Sequence, residues 1–384
     1  MTDLILLSAS LLIWGIGEGM FFIFLPIYLQ QLGAGTMATA GIFSVFGVAM
    51  MAAHIPAGYL ADRIGRKPLL VAAWGAGLLA AGVMAAARSL PVFVAGMLFY
   101  GLTAFVSSPL NSYVTAGRGR FSPARALTFI GAAYNLGAML GPLAGGWLAS
   151  RLGLRSVYAW AACLFVPSTV LLLFLRNQPR EVHDPAAPPG RLLANRRFIG
   201  LLGIGILATF VMYLPQPLTP RFLADERGLS LASIGLLGSI GGLGNTVLNL
   251  VLGQFVARTG FILAEVMAAA FAFLLWKGTG LPWYALGYFL LGGYRAGRSL
   301  ISAQIRPLIH PTQMGLAYGL AETGNSLAVV LAPLLAGAVY TRASLLVYPL
   351  SLGLMGLVLV ISIFGAPRER VGGEIPMISL PPEV

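Results

Sequence analysis

Gly58-Tyr59-Leu60-Ala61-Asp62-Arg63-Ile64-Gly65-Arg66-Lys67 puts four charges into ten positions, and Arg63 is the first basic residue in the chain. On either side lie residues 37–61 and 68–87, each supplying the roughly 20 mostly apolar residues that a helix needs to cross a bilayer. Gly65 permits a tight turn between two such helices, and Gly58 permits their close approach. Asp62 then sits among three cations at a membrane face, where a carboxylate can lock helices together in one state and release them in another.

Working outward with the same length criterion gives twelve spans, at 5–32, 37–61, 68–87, 90–117, 125–150, 155–175, 198–224, 230–257, 260–277, 281–305, 312–341 and 343–365. Composition agrees: of 384 residues 58% are hydrophobic and 9% charged, with a mean hydropathy of +0.86. A soluble fold of this size needs a charged surface, so the lipid bilayer is the solvent. The net charge of +12 does not point to nucleic acid, because the only lysines are Lys67 and Lys277 and the arginines are scattered between apolar runs. Cys163 stands alone, which excludes an internal disulfide and a cysteine metal site. The start of the chain lacks a basic leader, so the first helix is expected to be retained.

Charge also orients the chain. With the N-terminus inside, fifteen basic residues fall on the inner side and seven on the outer, which predicts that both termini are cytoplasmic in a bacterial inner membrane. The polar, proline-bearing segment 176–197 divides the chain into a six-helix bundle over 1–175 and another over 198–365, followed by a tail over 366–384. The halves look duplicated. Leu25-Pro26-Ile27-Tyr28-Leu29 has its counterpart in Thr219-Pro220-Arg221-Phe222-Leu223; Gly58, Arg63 and Gly65 recur as Gly253, Arg258 and Gly260; Pro142 recurs as Pro333. The predicted fold is an all-α membrane protein of twelve helices in two pseudo-symmetric bundles, an architecture of transporters.

The loop Gly58, Asp62, Arg63, Gly65, Arg66 and Lys67 closely resembles motif A of the major facilitator superfamily, where the segment helps to hold the outward-facing state closed at the cytoplasmic side. The second-half counterpart has Ala257 in place of the acid, so any such lock is asymmetric. Gly137, Gly141, Pro142, Gly145 and Gly146 resemble the motif C of efflux members, with Thr128 where a further glycine is expected. Small residues at four-residue spacing make a flat helix face, and Pro142 permits a bend. The arginine that proton-coupled members often carry in helix 4 is missing, since Met97 stands four residues before Gly101.

Charges inside the spans cost about 2.5–3.5 kcal/mol each at mid-bilayer, which makes them pointers to function. Glu18 lies in the middle of helix 1, Arg295 and Arg298 share a face of helix 10, and Glu322 in helix 11 falls at a similar depth by a 1.5 Å rise per residue. Glu322 is expected to pair with one arginine, and Glu18 to neutralise the other or to titrate in the cavity. The resemblance places helices 1, 4, 7 and 10 around the central path, which puts Glu18, Arg295 and Arg298 at the substrate or proton site, with Asn135 and Asn325 as further candidates. Glu265 is expected to make a structural pair, and the tryptophans to anchor at the interfaces, Trp14 excepted.

No phosphate-binding loop or enzyme constellation is present, and no cofactor or metal is implied. The expected activity is ion-coupled, in particular proton-coupled, efflux of small amphipathic compounds by a monomer using alternating access. Uptake or exchange of an anionic metabolite at the two arginines is the rival, and a non-transporting receptor or assembly factor is the alternative of another class.

Overall fold

The computed structural model describes the backbone of residues 2–116, 123–177, 195–305, 308 and 314–365. The helices are α1 (Thr2–Phe22), α2 (Leu25–Gln31), α3 (Thr36–Ile64), α4 (Arg66–Ala86), α5 (Leu90–Leu102), α6 (Ser107–Ala116), α7 (Pro123–Leu152) and α8 (Leu154–Leu173) in the first half. The second half has α9 (Arg196–Tyr213), α10 (Thr219–Asp225), α11 (Leu231–Leu252), α12 (Ala257–Lys277), α13 (Leu281–Ala303), α14 (Met314–Arg342) and α15 (Val347–Gly365). Each predicted apolar run coincides with one helix or with a broken pair. The first and seventh runs break just before Pro26 and Pro220, which stand at the start of α2 and α10, where a missing N–H costs nothing. The fourth is interrupted by a 3₁₀ turn at Thr103–Val106.

Ten helices among the described residues are long and apolar enough to cross a membrane. The two long helices outside that set are α7, diluted by glycine, Tyr134 and Asn135, and α13, which carries Arg295 and Arg298. Most of the proposed linker and the whole tail, residues 178–194 and 366–384, lie outside the described residues.

Three contacts show which helix ends share a side. Tyr113 donates to the carbonyl of Arg176, Lys67 to that of Leu173, and Arg258 to that of Ile363. The linker ends and the end of α15 therefore lie on the side of the 58–67 loop. The two halves meet at the opposite, far side. There Gln30 donates to Asp225 at 2.9 Å, joining positions 195 residues apart, the offset of the internal duplication.

The serines repeat the same symmetry. Ser44 donates to the carbonyl of Val330 at 2.6 Å, while Ser239, 195 residues further on, accepts the backbone N–H of Leu143 at 2.9 Å. Both bonds reach a proline-bearing helix of the other half, next to Pro142 in α7 and one turn before Pro333 in α14. Proline removes a donor and displaces the local ladder, which leaves backbone groups for an outside partner.

Toward the linker side the interface runs out. Along α7 and α11 it extends from Gly146 and Leu231 to Met139 and Gly242, and along α3 and α14 from Ala40 and Gly337 to Gly47 and Val330. Toward the linker from those pairs Ala132, Thr246 and Glu322 are exposed, while the hydrogen bonds Gln30–Asp225, Ser44–Val330 and Leu143–Ser239 between the halves lie on the far side.

Gly137, Gly141 and Gly145 pack against the backbone of α1, at Leu12, Ile16 and Met20, while a side chain on Gly131 would meet open space. Gly141→Leu should destabilise the detergent-solubilised protein by about 1–3 kcal/mol through overpacking, whereas Gly131→Ala should not lower the thermal midpoint and should raise it slightly through helix propensity. Ser44→Ala and Ser239→Ala each remove one inter-half hydrogen bond worth about 1 kcal/mol. Each is expected to raise hydrogen exchange at the far ends of α3, α7, α11 and α14.

Candidate functional site

Glu18 projects from α1 at half-burial and accepts a hydrogen bond from the Tyr134 hydroxyl of α7 at 3.0 Å. That distance follows from the glycine contact: Gly15 of α1 lies against the carbonyl of Tyr134, so only a missing side chain lets the two helices come this close. Tyr100 and Trp14 also face the Glu18 carboxyl group. Behind them Trp14 stacks on Phe165 with centroids 3.8 Å apart and tilts against Trp74 at 5.2 Å. Trp74 itself is buried and donates to Ser168 at 3.0 Å, so it is a core residue and departs from the interfacial role expected of it. Trp147, Trp160 and Trp283 are about half exposed.

The second half contributes the opposite charge. Arg298 of α13 donates to Glu322 of α14 at 2.8 Å, with the carboxylate 60% exposed and the guanidinium 33%. The pair is open to water on one side. Tyr294 packs beside Arg298 and stacks with Tyr213 of α9 at 5.9 Å. Arg295, one turn before Arg298, is exposed and makes no ion pair among the described residues. Glu18 on the opposite half attracts it from beyond the 4.0 Å of a contact pair.

The remaining candidates divide. Asn135 is half-buried on α7, next to Tyr134. Asn325 is buried inside the second half, accepts from Thr209 at 2.9 Å, and lies beside Leu201, Ile206 and Ile301 in a small apolar pocket. Glu265 is buried between α12 and α15 and accepts from Ser362 at 2.8 Å, a contact between outer helices of the bundle. Sequence reasoning passed over Tyr100, Tyr213 and Tyr294. Tyr294 directly precedes Arg295, which was the one signal available.

Of the 58–67 loop, the side chains of Gly58, Asp62 and Arg63 lie outside the described residues. Gly65 has φ +94°, a left-handed conformation that favours glycine, and it opens α4 at Arg66. Lys67 reaches across to the last turn of α8, where its charge meets exposed carbonyl groups. Arg258 makes the equivalent contact to α15 in the second half. Of the helix 5 glycines, only Gly146 turns away from α1, to lie against Leu231 and Gly235 of the other half.

No metal-binding group of three or more His, Cys, Asp or Glu residues occurs among the described residues. The Arg298–Glu322 pair, being solvated, should contribute about 0.2–1 kcal/mol in a double-mutant cycle with Arg298→Ala and Glu322→Ala. Tyr134→Phe should cost about 1 kcal/mol, since it strips a partly buried carboxyl group of its donor. Both are read by thermal unfolding in detergent.

Comparison with known proteins places this geometry in context. The sequence profile described as Major Facilitator Superfamily matches residues 7–297 and 218–379. The multidrug resistance protein MdtL of Klebsiella pneumoniae is 25% identical over 356 residues, covering 87% of this chain and 89% of that protein. The multi-drug resistance efflux pump PmrA of Streptococcus pneumoniae is 25% identical over 292 residues, covering 67% and 72%. Among solved structures, the nucleoside transporter NupG superposes with a TM-score of 0.77 at 14% identity, covering 96% of this chain and all of that one. The human organic anion transporter TETRAN superposes with a TM-score of 0.69 at 19% identity, covering 94% and 99%.

Proposed function

The chain belongs to the major facilitator superfamily, and from that premise we propose that it exports small amphipathic compounds in exchange for protons. It is a transporter rather than an enzyme, a multi-pass protein of the bacterial inner membrane. The observation that carries the exporter reading is Glu18, half-buried and held by Tyr134, with the exposed Arg295 of the other half attracting it; between them we place a cleft that opens toward the linker. A carboxyl group in that position can bind either a proton or a cationic group, but not both, and such competition is what exchange requires. The names of the curated relatives, multidrug resistance and efflux proteins, support the direction and the breadth of substrate.

Alternating access supplies the path. In the structure the far ends are joined by Gln30–Asp225 and by the two serine bonds, which supports the linker side as the end that opens. Export needs the reverse arrangement, in which those bonds part and the 58–67 loop closes the other side. The charge bias of the loops puts the linker, and hence the open cleft, in the cytoplasm. A second reading, carriage of an anionic metabolite, draws on Arg295, whose guanidinium is exposed and without an ion pair among the described residues.

In everted membrane vesicles, Glu18→Gln should reduce pH-gradient-driven dye accumulation by about tenfold or more, equivalent to losing one strong polar contact. Unchanged transport would remove Glu18 from the mechanism. In a Cys163→Ser background, Gln30→Cys with Asp225→Cys should cross-link through a short bifunctional reagent. The yield should fall when an exported compound is added.

A further inference from the structure

We propose that the compounds taken into the cleft are zwitterionic amphiphiles, with the cationic group held at Glu18 and the anionic group at Arg295. This rests on the exporter reading above and narrows its substrate class.

Four ionisable groups belong to the site: Glu18 on α1, Arg295 and Arg298 on α13, and Glu322 on α14. Arg298 and Glu322 satisfy each other at 2.8 Å. That leaves two charges of opposite sign on opposite halves. Glu18 has neutral partners on its own half, foremost the Tyr134 hydroxyl, and Arg295 is exposed with no ion pair among the described residues. They attract one another, yet stand farther apart than the 4.0 Å of an ion pair. The cleft is thus polarised, negative on the first-half wall and positive on the second.

Charges in the membrane interior are costly to keep unless something compensates them. A monocation would neutralise Glu18 and be repelled by Arg295. A monoanion would do the reverse, and a neutral compound would compensate neither. A ligand carrying both signs compensates both at once, and its apolar body can rest on the partly exposed Tyr213 beside the arginines and on Tyr134 near Glu18. Because the two charges belong to different halves, such a ligand also ties the walls of the cleft together. A proton on Glu18 removes the charge that the cationic group needs, so substrate and proton compete.

Three xanthene dyes of similar shape test this directly: rhodamine B, a zwitterion; its ethyl ester, a cation; and fluorescein, an anion. Binding to the purified protein is measured by fluorescence anisotropy, and export is measured in everted vesicles with the same dyes. Rhodamine B should bind about tenfold or more tighter than either of the others, the scale of one added charge-assisted contact. Glu18→Gln should erase its advantage over fluorescein, and Arg295→Gln its advantage over the ester. Arg295→Lys, which keeps the charge, should restore most of the preference and so separates loss of recognition from loss of folding. Equal binding of the three dyes, or a preference that survives Arg295→Gln, overturns the proposal. If the ester alone is exported, in a Glu18-dependent and Arg295-independent way, the exporter reading stands and the zwitterion proposal falls. If none of the three is bound or exported, both fall.

Discussion

The structure hangs on how closely α7 can approach its neighbours. One face of this helix, Gly137, Gly141 and Gly145, lies against the backbone of α1 inside the first half. Another, with Met139, Pro142 and Gly146, lies against α11 of the second half. In a bilayer there is no hydrophobic force to push helices together, since lipid tails are as apolar as leucine, so contact has to come from fit and from polar bonds. Glycine provides the fit. The first face brings Tyr134 within hydrogen-bonding distance of Glu18; the second joins the halves at the far side and leaves the other end free to open. One helix thus sets both the wall that carries Glu18 and the seam between the halves.

The same economy governs charge. Glu265 and Ser362 join two outer helices, and Arg298 is matched with Glu322. Glu18 and Arg295 are left facing each other across the cleft without contact. Separation of opposite charges in a low-dielectric interior is expensive, and in the reading proposed above a ligand that completes both recovers that cost.

The two halves keep their common origin unevenly. Gln30 with Asp225, and Ser44 with Ser239, occupy equivalent positions at an offset of 195 and bond across the far side. The basic residues of the two turns, Lys67 and Arg258, both meet the last turn of their half's final helix. Only the first turn keeps an acid, at Asp62. The anchoring role of the basic residues is therefore common to both halves, while any carboxylate lock belongs to the first alone.

Sequence by itself determined the spans, the duplication and the short list of charged residues, because a lipid solvent punishes polarity so strongly that apolar runs and stray charges are legible one residue at a time. It also put Glu322 and the arginines at one depth, since helical rise is fixed at 1.5 Å per residue. It did not reveal which arginine Glu322 would take, that Trp74 would be core rather than interfacial, or that Asn325 would turn inward to Thr209. Those outcomes depend on the rotation of each helix about its own axis. That rotation is set by glycine contacts between helices far apart in sequence, such as Gly15 with Tyr134 across α1 and α7, and a span criterion carries no information about it. Only the tertiary structure decided which charges were paired and which were not, because pairing is a property of facing surfaces and not of the chain.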